Sequence, residues 1–110
     1  MTTHELSEKI GLTPLNQFEP KDVHGVYVSD MISDVMASAK SGNLWLTIQT
    51  HKSIVPAANL VDVSAIIITG GKDVPQDTIE LAEKHDIAIL STQLPTFEIM
   101  AKLYDAGVRN

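Results

Sequence analysis

The feature that most constrains this chain is an alternation of two periods from Gly25 onward. Short apolar runs rich in β-branched residues are each followed by a segment whose apolar side chains recur at helical spacing. Val26-Tyr27-Val28 is the first run, and after it Met31, Ile32, Val35, Met36 and Ala39 keep the spacing of one helix face. Gly42 is expected to end that helix. Leu44 to Ile48 reads as a strand with Leu44, Leu46 and Ile48 on one side. Ile54 to Leu60 reads as a short helix, with Ser53 as its cap and Pro56 near its first turn. Ala65 to Ile68 is apolar on both faces, as a central parallel strand covered by helices should be. Pro75 opens a helix running to His85, and Ile87 to Leu90 is another buried strand. Pro95 or Thr96 opens the last helix, where Phe97, Met100, Ala101, Tyr104 and Val108 keep helical spacing.

Strands and helices that alternate through short connections make parallel strands joined by crossovers. The expected fold is α/β: a three-layer α/β/α domain with a mostly parallel sheet of about four or five strands. Thr13 to His24, with Pro14 and Pro20, is the least regular stretch and is expected to join a small N-terminal helix and strand to the main body. This predicts a single domain over 1–110, with a less regular segment at 1–24 and a core at 25–107.

Composition removes several classes of function. The chain has no cysteine, which excludes disulfides, thiol catalysis and cysteine-ligated metals. Eight basic against fourteen acidic residues leave a net charge of −6, a poor match for nucleic acid or an anionic membrane. Met1-Thr-Thr-His-Glu lacks the apolar stretch of a signal peptide, and the longest apolar run, Ala65 to Ile68, is far too short to span a bilayer. A cytoplasmic location follows as the expectation, with no membrane partner.

In open α/β sheets, ligands bind outside the carboxyl ends of the strands. A small polar group follows each strand here: Ser29-Asp30, Thr50-His51, Thr69-Gly70-Gly71 and Ser91-Thr92. On one sheet edge, near helix N-termini, these groups would be receptive to an anion through free backbone N–H groups. Ser29, Asp30, His51, Thr69, Gly70, Gly71, Ser91 and Thr92 are therefore the candidate ligand-binding residues. Each also has a plainer use. Ser29, Asp30, Ser91, Thr92 and Thr96 suit helix caps, the two glycines suit a turn with positive φ, and His51 suits an exposed loop.

Nothing in the sequence marks a catalytic residue. There is no GxSxG, HExxH, Walker A or GxGxxG pattern. His4, His24, His51 and His85 lack HxH or HxxxH spacing, so neither a metal site nor a cofactor is expected. A second signal lies on the helices. Ile99 and Leu103 beside the Phe97–Met100–Tyr104 stripe make an apolar face broader than one sheet contact needs, and Met31, Ile32, Val35 and Met36 do the same earlier. Such surplus points either to a wide core-facing stripe or to an oligomer interface.

The stretch from Gly25 to Tyr104 resembles the DRTGG domain, which is similar to the N-terminal domain of HPr kinase/phosphorylase. The resemblance is carried by Val28-Ser29-Asp30, Ile66-Ile67-Ile68-Thr69-Gly70-Gly71, Ile79-Glu80-Leu81-Ala82-Glu83, Ile87-Ala88-Ile89-Leu90-Ser91-Thr92 and Thr96-Phe97-Glu98, in that order. The family pattern has an Asp-Arg pair after an early strand and a Thr-Gly-Gly later. Asp30 and Thr69-Gly70-Gly71 fit it, but Met31 stands where the arginine would be, which removes the natural bidentate partner of a phosphate.

The resemblance implies a dimerising or regulatory module of the kind attached elsewhere to CBS, phosphotransacetylase and pyrophosphatase domains. The kinase activity of HPr kinase belongs to a separate P-loop domain, and no GxxxxGK[ST] occurs here, so this chain is not a kinase by itself. The expected function is a stand-alone, non-catalytic regulatory, ligand-sensing and dimerisation domain. Its partners would be a second copy and a small anionic or nucleotide ligand, the latter weakened by Met31. Two alternatives stand beside it: a small-molecule enzyme using the strand-end edge, and an adaptor recruiting a separately encoded enzyme.

Overall fold

In the computed structural model, which describes all 110 residues, the elements run in the expected alternation. They are α1 (Thr3–Ile10), β1 (Thr13–Pro14), β2 (Val26–Val28), α2 (Ile32–Ser38), β3 (Leu44–Thr47), α3 (Ile54–Val61), β4 (Ala65–Ile68), α4 (Gln76–Lys84), β5 (Ile89–Ser91) and α5 (Thr96–Asp105). The sheet has five strands in the order β1-β5-β4-β3-β2. Strands β2 to β5 are parallel, with Val28 level with Leu46, Thr47 with Ile68, and Ile68 with Ser91. β1 pairs antiparallel with β5 and places Pro14 on the outer edge, where its missing N–H costs no ladder bond.

The period of two along the central strands sorts their side chains into two cores. Trp45, Ile66, Ile68 and Ile89 face Val35 of α2, Ile54, Val55, Ala57 and Ala58 of α3, and Ala82 of α4. Leu44, Leu46, Ala65, Ile67 and Leu90 face Leu6 of α1 and Ile99 and Leu103 of α5. The result is the expected three-layer α/β/α arrangement. Ile66, Ile67 and Ile68 are all fully buried, each contributing roughly 1.5–3 kcal/mol of transfer free energy.

Local chemistry sets the element ends, and several differ from expectation. α1 is closed by a reciprocal capping box, in which Thr2 Oγ1 accepts from Glu5 N and Glu5 Oε1 accepts from Thr2 N. α2 ends at Ser38, not at Gly42, because Ala39 turns extended and the Asn43 side chain accepts from Lys40 N to make a separate turn. Neither Ser29 nor Asp30 caps α2, whereas Ser53 stands at the cap position of α3 as expected but makes no side-chain capping bond. Met31 occupies the cap position of α2 without a side-chain bond, and Ser53 is itself helical in conformation. β3 stops at Thr47 and leaves Ile48 half exposed. β5 begins at Ile89, because Ile87 N is still held by the carbonyl of Ala82 at the end of α4.

Candidate functional site

The carboxyl ends of β2, β3, β4 and β5 lie along one edge of the sheet, so the polar groups that follow them are neighbours. Chain direction makes one point of that edge different from the rest. α4, which follows β4, packs on the face shared with α2 and α3, whereas α5, which follows β5, packs on the opposite face. Adjacent parallel strands whose connections leave to opposite sides open the crevice where open α/β sheets bind ligands. That point falls between Thr69-Gly70-Gly71 and Ser91-Thr92.

In this structure those two loops hold each other. Gly70 and Gly71 have φ of 75° and 66°, a left-handed pair that points both N–H groups across the crevice. Gly70 N donates to Leu94 O and Gly71 N to Thr92 O, each at 2.9 Å. The side chain of Gln93 lies against Gly71, where any Cβ would collide with it. Thr69, fully buried, shares a hydrogen bond of 2.8 Å with Thr96 at the first residue of α5. Thr92 N donates to Ile68 O, and Thr92 Oγ1 accepts from Leu94 N. Ser91 Oγ donates to Thr13 O across the β1–β5 pair.

The other two groups do not join this cluster. Asp30 Oδ1 accepts from Thr47 Oγ1 at 2.9 Å and from Ile48 N at 3.0 Å, while Asp30 O accepts from Gln49 Nε2. The carboxylate therefore ties the end of β2 to the end of β3. Ser29 Oγ accepts from Met31 N, and Ser29 O accepts from the indole of the buried Trp45 at 2.9 Å. His51 Nδ1 accepts from Ser53 N at 3.1 Å, a bond within its own exposed turn before α3. None of the five main clefts is lined by any of the eight candidate residues.

The clefts lie where the sequence drew no attention. The largest, about 700 Å³, sits between α1, the loop at 16–19 and the end of α4. Its walls include His4 packed on Phe18, and the carboxylates of Glu83 and Asp86, which accept from Gln17 N and Glu19 N and so fasten the loop. A second cleft, about 360 Å³, runs between β2 and α5 and is mostly apolar, lined by Val26, Val28, Met100, Leu103, Tyr104 and Val108. The alternation of Val26 and Val28 around Tyr27 was a signal that these two share a face. The guanidinium of Arg109, 3.5 Å above the Tyr104 ring, left none.

On the other face of β2, Tyr27 donates from its hydroxyl to Asp34 Oδ2 at 2.8 Å. The hydrogen bond to that carboxylate raises the phenol pKa above 10.0, which outweighs a Ser38 contact that lowers it. The side chain is thereby kept neutral. No three His, Asp or Glu side chains converge as a metal site would require, and no helix is long and apolar enough to cross a membrane.

Two comparisons with known proteins bear on this arrangement. The model of the DRTGG domain matches residues 16–106. Among solved structures, the chain is similar to the crystal structure of the CBS and DRTGG domains of the regulatory region of Clostridium perfringens pyrophosphatase, complexed with the activator diadenosine tetraphosphate. The TM-score is 0.71 at 20% identity, and the match covers 93% of this chain but 45% of that one. At that identity the likeness establishes the fold, and this chain spans less than half the length of its neighbour. No curated protein matches.

Proposed function

This chain belongs to the DRTGG domain family, and on that premise we propose that it is a non-catalytic regulatory domain that senses a phosphate-bearing ligand and works as a homodimer. The observation that carries the sensing half is the strand-end position between β4 and β5, where α4 and α5 part to opposite faces and where Gly70 and Gly71 aim two N–H groups. A nucleotide or polyphosphate is the ligand class, since the pyrophosphatase neighbour was crystallised with diadenosine tetraphosphate. The missing arginine at Met31 is offset by Lys72, an exposed cation whose Cε lies 3.9 Å from the Cβ position of Gly70.

Both glycine N–H groups now donate to Leu94 and Thr92, so a phosphate competes with two carbonyls of the loop before α5. A ligand that wins that competition frees the loop and shifts the start of α5 through Thr69 and Thr96. This is how a small binding event would reach a helix whose outer face is exposed. The homodimer reading is supported by that face: Phe97, Met100 and Tyr104 are all exposed, Phe97 by 77%.

Thermal unfolding against diadenosine tetraphosphate, ATP, AMP and pyrophosphate tests the ligand. Saturation at a hundred times Kd should add about 2.7 kcal/mol of stability. Lys72→Glu should abolish the shift while leaving the unliganded midpoint unchanged. No shift with any of the four overturns the sensing half. A strict monomer in sedimentation overturns the homodimer half.

A further inference from the structure

We propose that Gln93 is an internal latch on the phosphate site: its side chain lies over Gly71, keeps the site shut in the unliganded protein, and must swing aside before a phosphate reaches the two glycine N–H groups. The inference rests on the sensing reading and adds the residue that sets how tightly the site binds. The carboxyl ends of β4 and β5, where α4 and α5 leave to opposite faces, are the place where an open α/β sheet takes a ligand. Yet none of the five main clefts is lined by Gly70, Gly71 or Gln93. The chain fills the place itself. Thr92 O and Leu94 O accept from the glycine N–H groups, and the Gln93 side chain between them covers the turn.

The two glycines differ in what covers them. A Cβ on Gly70 would meet only Lys72 Cε, at 3.9 Å. A Cβ on Gly71 would stand 3.1 Å from Cδ and 3.5 Å from Nε2 of Gln93, with Oε1 closer still. The residues on either side of Gln93 are fixed. Thr92 is buried and donates from its N–H to Ile68 O, while Leu94 packs against the core beneath α5 and donates to Thr92 Oγ1. Gln93 is exposed, and its side chain can change rotamer without disturbing the backbone. Opening the site at Gln93 therefore costs one rotamer change, whereas opening it at Thr92 or Leu94 breaks packing and backbone bonds. The carboxamide is neutral, so a phosphate that also attracts Lys72 displaces it by charge. A ligand that binds only the open state has its affinity reduced by the open fraction. Gln93 thereby sets the concentration at which the site responds.

Calorimetric titration of the intact chain with pyrophosphate, ATP and diadenosine tetraphosphate is the test, on wild type, Gln93→Ala and Gln93→Met. Amide exchange at Gly71 is followed in the same proteins without ligand. Gln93→Ala should bind roughly tenfold tighter than wild type, as when an open state of about one molecule in ten becomes the only one. Its Gly71 amide should exchange roughly fivefold faster, with the β4 amides unchanged. Gln93→Met keeps the length of the side chain and should bind as wild type does. Binding by Gln93→Ala alone is the same result in its extreme form. No binding of any probe by wild type or Gln93→Ala overturns the sensing reading and this one with it. Equal binding by the two overturns the latch and leaves the sensing reading standing. Weaker binding by Gln93→Ala also overturns the latch, since the side chain would then hold the ligand. A Gln93→Met variant that gains as much as Gln93→Ala, or a Gly71 amide that exchanges no faster, overturns the covering of Gly71 as the cause.

Discussion

Thr69 and Thr96, 27 residues apart in the chain, share a hydrogen bond of 2.8 Å between their Oγ1 atoms, joining the end of the central strand to the first residue of the last helix. Thr69 is fully buried, so the bond satisfies a hydroxyl that water cannot reach. α5 has no side-chain cap at Pro95, and this threonine pair is the polar contact that anchors its start.

Replacing Thr69 by Val keeps the shape and deletes that bond. Stability to urea should fall by about 1 kcal/mol, with Thr69→Ser losing less. Hydrogen exchange at Ile99, whose amide donates to Pro95 O in the first turn of α5, should quicken more than exchange in α3. A uniform change across all helices would show that the pair does not anchor α5 in particular.

Asp30 performs a different joining task. Its Oδ1 accepts from both Thr47 and Ile48, so Asp30→Ala should cost about 1–2 kcal/mol in a urea melt. Asp30→Asn keeps an acceptor oxygen and should cost less than half as much. Equal losses in the two variants would mean that the charge matters and the acceptor geometry does not.

If copies pair as proposed, Met100 and Leu103 should separate association from folding. Both belong to the apolar pattern of α5, but Leu103 is 1% exposed and Met100 37%. Leu103→Asp buries an unpaired carboxylate and should remove most of a stability that is about 5–15 kcal/mol for a domain of this size. Met100→Asp should fold with a near-normal midpoint and sediment as a monomer.

Tyr27 confers an alkaline sensitivity whose sign is determined by its pKa. The folded value lies above the ordinary 10.0 because the phenol donates to Asp34. Its contribution is complete below about pH 10 and is lost as pH rises through the folded value, where the phenolate would face a carboxylate. The thermal midpoint of wild type should therefore drop more steeply above pH 10 than that of Tyr27→Phe. Parallel curves would remove the pair from the account.

The alternation of Val-, Ile- and Leu-rich runs with helical spacing was enough to read off four parallel strands and the helices between them, because burial on two faces leaves a β-branched run such as Ile66-Ile67-Ile68 few other conformations. The antiparallel pairing of Thr13 and Pro14 with β5 was not legible, since two residues carry no period. The edge that gathers Asp30, Thr69 and Thr92 was legible for a related reason: in a parallel sheet every strand end falls on the same side. What each side chain does there was not. Ser29 and Ser53 have the composition of caps, yet their hydroxyls bond within local turns, to Met31 N and to the ring of His51.

Sequence alone determined the layers, the strand direction and the polar character of one sheet edge, because those follow from local periods and the hand-over between them. Tertiary structure decided the rest. It tied the Gly70 and Gly71 N–H groups to a loop more than twenty residues away, and it chose which half of the α5 pattern faces the core. Ile99 and Phe97 are both apolar and two positions apart, and helical period shows that they lie on different sides. Only the placement of the helix on the sheet shows that Ile99 is covered and Phe97 is left exposed.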